Sequence, residues 1–328
     1  MSEAVTIDTI KNILTKNVNK EYSLSREEAI AIMNLPEDDM PLLMEMAGSL
    51  RKKYKGNHVS IHLLTNARSG NCSQNCAYCA QSCRSKAEIE KYKWVNDEKL
   101  YSDNAFVHDN HLSRHCIGLS GMKFTDEEIE ELAEKIRVMK AQGTHLCCSI
   151  GFLTEKQALM LKEAGLDRIN HNLNSSRSYY HNICTTHTYE DKIAAIRAAW
   201  KAGIEVCSGG IMGLGETVED RIDLALEVRK LGVKSMPVNL LNPIPGTPYE
   251  HNPVLTTEEM RRIVAVFRFL LPDAWIRLAG GRGLLPDKGR SCFTSGANAA
   301  ISGDMLTTAG ITIERDMQML GELGYIVK

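Results

Sequence analysis

Long apolar runs, a charge excess of one sign, low-complexity tracts and paired zinc-type cysteines are all missing from this 328-residue chain. The longest apolar stretches, such as 263–267, fall far short of the roughly 20 residues that a spanning helix needs. A net charge of −2 and a pI near 6.6 give no electrostatic footing for nucleic acid or an anionic membrane surface, so neither is expected as a partner. Residues 1–20 carry no apolar h-region, so no targeting peptide is read there. The ten cysteines lack the dense spacing of small secreted domains. That argues for free thiols in a reducing, cytoplasmic setting rather than for a disulfide framework.

What is present is a compact cysteine triad. Cys72, Cys76 and Cys79 stand at C-x3-C-x2-C spacing, with the aromatic Tyr78 just before the last. Three thiolates on one tight loop can hold three corners of a cubic iron–sulfur cluster. No fourth local cysteine completes the set, which leaves one iron open to a substrate or cofactor. A zinc site would need a second ligand pair. Cys83 follows closely, but the next cysteine is Cys116.

The rest of the chain has a regular rhythm. Residues 1–56 read as a helical segment, with Ser25 and Glu28 forming a capping box. Eight short apolar runs follow, at 59–64, 115–119, 144–150, 167–173, 204–211, 235–240, 274–278 and 297–301. Amphipathic helical patterns separate them, three of which start at the pairs Thr125/Glu128, Thr154/Gln157 and Thr256/Glu259. Eight strand–helix units at this length predict an α/β fold, a (β/α)8 TIM-type barrel over 57–305 with a helical extension before it and a tail or helix over 306–328. A doubly wound open sheet uses the same units, and periodicity does not separate the two. In a barrel, side chains at the C-terminal strand ends face the active site, which is where the triad loop falls.

A second set of residues lies on the runs themselves. Cys116 is on the second, Cys147 and Cys148 on the third, Cys207 on the fifth and Arg277 on the seventh. Any one buried cysteine reads first as a small hydrophobe. Three strands carrying cysteine together with a strand arginine point instead to a second metal site, because a buried guanidinium needs compensating anions.

The strings GNCSQNCAYCAQS (70–82), NHNL (170–173), VCSGGIMGLGE (206–216), NLLNPIPGTP (239–248), IRLAGGR (276–282) and SGAN (295–298) resemble those of the radical S-adenosylmethionine enzymes, and within them the biotin synthase family. The resemblance implies that Cys72, Cys76 and Cys79 hold a [4Fe–4S] cluster that binds S-adenosylmethionine, with Tyr78 along the adenine. It implies cofactor or ligand contacts at Asn172, Asn239 and the strand Ser208, Gly209 and Gly210, where missing side chains would let a ligand approach the backbone. Cys116, Cys147, Cys207 and Arg277 match the ligands of an auxiliary [2Fe–2S] cluster. The implied reaction is sulfur insertion into dethiobiotin, served by a reducing donor such as flavodoxin or ferredoxin, in a homodimer.

Three positions depart from that pattern. Asn174 stands where aspartate is usual, which removes a charge available to ribose hydroxyls. His187 stands where arginine is usual, and Cys184 where an aliphatic residue is common. Cys184 is read as a ligand that displaces Arg277 or supports a larger auxiliary cluster, or else as an inert buried thiol. Cys83, Cys148 and Cys292 are read as structural.

Overall fold

A computed structural model describes residues 7–19 and 23–327. The expected helical segment at 1–56 therefore has residues 1–6 and 20–22 outside the described part, as is Lys328. Within it lie helices Ile7–Val18, Arg26–Met33 and Met40–Lys55. The second starts on the expected capping box, with Ser25 Oγ accepting from Glu28 N–H and the Glu28 carboxylate accepting from Ser25 N–H. Such a cap contributes about 1 kcal/mol. The third buries Leu43, Ala47 and Leu50 and packs on helix Thr257–Leu270.

The barrel strands are β1 (His58–Arg68), β2 (Arg114–Leu119), β3 (Leu146–Ser149), β4 (Arg168–Asn170), β5 (Glu205–Cys207), β6 (Gly210–Met212), β7 (Ser235–Leu240), β8 (Trp275–Leu278) and β9 (Ala299–Ser302). All pair in parallel, in the order β5-β4-β3-β2-β1-β9-β8-β7-β6. All eight expected runs are strands, and helices Asp126–Ala141, Glu155–Glu163 and Thr257–Leu270 begin at their expected capping boxes. The short β10 (Ile326–Val327) adds to the start of β1.

The fifth run differs from a simple strand: it breaks at Ser208-Gly209 into β5 and β6. Its first half pairs with β4 and its second with β7, so the two ends of the sheet belong to one broken strand and the sheet closes on itself. That arrangement excludes the open doubly wound alternative. The break has a steric cause. A Cβ on Gly209 would lie 2.0 Å from the Pro237 carbonyl oxygen, and one on Gly210 would lie 2.6 Å from that of Asn174. Asn174, at φ 73°, bridges the gap by donating its N–H to Gly209 O and accepting from Ile211 N–H. Asparagine tolerates this left-handed conformation better than most residues.

The apolar core fills the layer between sheet and helices and includes Ile61, Ile117, Cys148, Ile263 and Phe267. After β9, residues 303–310 cross the barrel mouth, where Met305 and Leu306 face the cavity. Helix Ile313–Glu322 then returns to the barrel wall, where Asp316 pairs with buried Arg282.

Candidate iron–sulfur and cofactor site

The triad loop leaves the C-terminal end of β1 through Gly70 and Asn71, both at positive φ (75° and 52°). Its backbone is tied down on three sides. Gly70 N–H donates to the Gln81 side-chain carbonyl at 2.8 Å, Cys83 N–H to Gln74 O at 2.9 Å, and Ala77 N–H to Ile183 O at 2.9 Å. The last bond docks the loop on the segment after β4. All three triad cysteines are partly exposed free thiols, and Cys79 and Tyr78 line a cavity of about 290 Å³ in the barrel mouth. Burial pushes the Cys79 thiol up to about 11. Lys192 faces Cys72, Cys76 and Cys184 electrostatically, so a cation stands ready for the negative charge of a thiolate-bound cluster.

Cys184 sits at this loop and not among the strand cysteines. Its Sγ shares a hydrogen bond with Cys76, which holds Cys184 well below, and Cys76 well above, the ordinary thiol value. The ligand atoms of Cys76, Cys184 and His187 all lie within 4.8 Å of one another. Cys184 Sγ is also 3.2 Å from Asn75 Oδ1 and 3.3 Å from His187 Nδ1. The expectation that Cys184 joins or displaces members of the auxiliary set finds no contact in its surroundings. One backbone bond, from Ala77 N–H to Ile183 O, and side-chain bonds of Gln74 and Asn75 with Thr185, Thr186 and His187 tie residues 183–187 to the triad loop instead.

The strand set does converge. Cys116 and Cys147 are register partners across β2 and β3 and share a hydrogen bond. Cys207, on β5, lies 3.1 Å from Ser235 Oγ. Arg277 interacts electrostatically with all three. It is 1% exposed, and its Nε has no partner. A buried guanidinium short of acceptors among three thiols is what an anionic cluster in its midst would satisfy, so this donor set fits an iron–sulfur group. Alternation along β3 turns Cys148 to the outer core, and Cys292 is likewise in that core. Cys83 is exposed.

The other expected residues fall into two groups. Asn172, Asn174 and Asn239 line the mouth cavity. Asn174 Nδ2 is buried without a partner and is free to meet a ligand. Asn172 accepts from Gly209 N–H at 3.1 Å, and Asn239 bridges Gly210 O (2.9 Å) and Gly280 N–H (3.0 Å), so these two brace neighbouring strands as well. Ser208, Gly209, Gly210 and His187 do not line that cavity. The glycine pair serves close strand packing, and His187 supports the triad loop through Gln74 (2.9 Å) and Tyr180 (2.8 Å).

Sequence reasoning missed five contributors. Asn170 lines the cavity with an unpartnered Oδ1. His62 Nδ1 is 3.3 Å from Cys116 Sγ. Arg114 and Arg168 bias the strand thiols. Lys192 did carry a signal: a cation in the first turn of helix Tyr189–Lys201 opposes the helix dipole.

Known proteins match the chain along nearly its whole length. Residues 66–228 match the radical SAM superfamily, and 237–326 match the biotin and thiamin synthesis associated domain. A biotin synthase of Brachyspira hyodysenteriae is 48% identical over 316 residues, covering 96% of this chain and 94% of that protein. One from Akkermansia muciniphila is 48% identical over 307 residues, covering 93% and 95%. Among solved structures, a methylornithine synthase (18% identity, TM-score 0.83, covering 96% of this chain and 97% of its own) shares the fold. An [FeFe]-hydrogenase maturase from Carboxydothermus hydrogenoformans does so too, at 18% identity and TM-score 0.83, covering 98% and 79%. With curated relatives this similar along nearly their whole length, the chain belongs to the biotin synthase family of radical S-adenosylmethionine enzymes.

Proposed function

We propose that this chain converts dethiobiotin to biotin, with Cys72, Cys76 and Cys79 holding a [4Fe–4S] cluster and Cys116, Cys147, Cys207 and Arg277 holding an auxiliary iron–sulfur cluster. The observation that carries the reading is that one cavity is lined by both Cys79 and the strand pair Cys116 and Cys147. A substrate in that cavity would stand between the two sets. When bound, the first cluster with S-adenosylmethionine supplies a hydrogen-abstracting 5′-deoxyadenosyl radical, and the auxiliary cluster supplies sulfur.

The protein's share is placement and shielding. Asn170 and Asn174 offer an unpartnered oxygen and an unpartnered amide to a polar ligand. Leu64, Ile211 and Ile301 give the cavity apolar walls that hold water away from a reactive carbon. Leu306 is fixed over the mouth by its carbonyl, which accepts from Asn66 Nδ2 at 2.6 Å. Below, the Arg277 guanidinium offsets charge on the strand thiols. Cys184 and His187 belong with the first cluster, as supports of Cys76.

On this reading 57–305 is the catalytic barrel, 1–56 a helical segment before it and 306–328 a tail or helix whose first residues cover the mouth. A reducing flavodoxin or ferredoxin, a homodimer and a cytoplasmic location complete it. No described helix is long and apolar enough to cross a membrane.

The test is an oxygen-free assay of reconstituted protein with S-adenosylmethionine, a reductant and dethiobiotin. Biotin and 5′-deoxyadenosine should both form. Cys116→Ala or Cys147→Ala should abolish biotin while cofactor cleavage persists. Cleavage by the unaltered chain without any biotin would overturn the substrate assignment.

A further inference from the structure

Two cavities approach the strand cysteines from opposite ends of the barrel. The upper one, at the mouth, reaches Cys116 and Cys147. The lower one, about 570 Å³, opens between the N-terminal ends of β1, β2, β4 and β8 and ends on His62 and Arg277. His62 in turn touches Cys116, and Arg277 faces Cys116, Cys147 and Cys207. The cysteine layer is thus a partition with a cavity on each side.

The lower cavity is built for an anion. Lys55, Arg114, Arg168 and Arg277 line it, and no carboxylate does. Glu205 and Asp167 approach Arg168 and Arg114 from outside the lining (2.6–3.9 Å), and Asp273 acts on Lys55. Arg277 has no such relief. Its Nη1 reaches only the carbonyls of Ser60 and Ala300, at 3.4 and 3.3 Å, and its buried Nε reaches nothing. A polarised cavity of one sign raises the local concentration of the opposite ion.

We propose that this lower cavity binds hydrosulfide and admits it to the strand cysteines from the side opposite the cofactor. The inference rests on the proposed sulfur-donating role of those cysteines. Each dethiobiotin that becomes biotin gains one sulfur atom and loses two hydrogens, so each turnover removes a sulfide that must be replaced. The mouth is the place for S-adenosylmethionine and substrate, and a route from below leaves them undisturbed. Hydrosulfide is already at the oxidation level of a bridging sulfide. Its delivery transfers no electrons, and its one proton leaves to water by the same cavity. The two electrons that the two carbon–sulfur bonds leave on the auxiliary irons pass to a one-electron acceptor, the oxidised form of the flavodoxin or ferredoxin. The soft thiolates and arginines at the end of the path suit a small, soft monovalent anion over a bulky one.

The test follows the absorption of the auxiliary cluster in the reconstituted full-length protein after a single turnover, as sodium hydrosulfide together with a stoichiometric one-electron acceptor (ferricenium) restores it. Restoration should proceed at the same rate with S-adenosylmethionine and dethiobiotin saturating the mouth. Lys55→Glu, at the lower opening, should slow restoration about fivefold at low ionic strength, with the gap closing as salt is added. The first-turnover yield of biotin should stay unchanged in that variant. A restoration blocked by mouth ligands and indifferent to Lys55→Glu would overturn the lower route. Absence of biotin in the first turnover of the unaltered protein would instead strike the proposed function itself. As a readout independent of turnover, crystals of the unloaded chain soaked in iodide should show an anomalous peak at the Arg277 guanidinium. A lower cavity free of iodide would contradict the proposal.

Discussion

Removing Asp316 should detach the cover from the barrel mouth. Asp316 is 1% and Arg282 4% exposed, and the two meet through a bidentate pair, Nη1 to Oδ1 at 2.8 Å and Nη2 to Oδ2 at 2.5 Å. Ser302 Oγ also donates to this carboxylate. The pair joins helix Ile313–Glu322 to the loop after β8, and the segment 303–310 that crosses the mouth lies just before that helix. Asp316→Ala leaves a buried guanidinium without its anion, which costs about 3–5 kcal/mol. With an unfolding entropy of about 2.1 cal/mol/K per residue, that lowers Tm by about 4–7 °C for a cooperative unit of this size. Replacing both partners, Arg282→Met with Asp316→Leu, removes the unpaired charge and should recover most of the loss. Calorimetry of the three proteins measures the stability. The ratio of 5′-deoxyadenosine to biotin measures the cover, and it should rise in Asp316→Ala as water reaches the cavity. If the single variant matched the unaltered protein in Tm, or the double variant were less stable than the single, the assignment of this pair as the clasp would fail.

Three further outcomes are expected. Cys184→Ala should alter the Mössbauer signature of the first cluster and leave the auxiliary one unchanged, because Cys184 contacts Cys76 and none of the strand cysteines; an altered auxiliary signal would refute this placement. Gly209→Ala should prevent stable folding or cost more than about 3 kcal/mol, since its Cβ would sit 2.0 Å from the Pro237 carbonyl; denaturant midpoints decide it. Burial opposes the charge on Asp167, but bonds from Lys140 (2.7 Å) and Leu146 N–H (2.7 Å) prevail and hold its carboxyl below the ordinary range. Its stabilisation, on the order of 1 kcal/mol, is therefore present above the unfolded-state value near about 4 and lost as pH falls through the lower folded one. The urea midpoints of Asp167→Asn and the unaltered chain should differ at pH 7 and converge at low pH; a gap that widens with acid would contradict the sign.

The barrel could be read from the chain because its signals are local. Strand runs, capping pairs such as Thr125/Glu128, and the cysteine positions on strands all depend on near neighbours or on simple alternation. Alternation even separates Cys147, facing the bore, from Cys148, facing the core. The break at Ser208-Gly209 depends on the carbonyl of Pro237, nearly thirty residues on, and so looked like a glycine strand left open for a ligand. The place of Cys184 depends on a contact of the same kind. Its segment is joined to the triad loop by the Ala77–Ile183 bond, a long-range contact with no periodic trace. The lower cavity was invisible because Arg114 and Arg168, at strand starts, have the spacing of ordinary surface charge. Only the closed barrel brings them to Arg277.

In the proposed reaction the strand cysteines hold the sulfur that enters the product. The most direct test rebuilds the clusters with sulfide enriched in a heavy sulfur isotope, removes free sulfide, and runs a single turnover without oxygen. Mass spectrometry of the biotin should find the label in the product, and Cys147→Ala should yield 5′-deoxyadenosine but no biotin. Unlabelled biotin from the labelled enzyme would contradict the account.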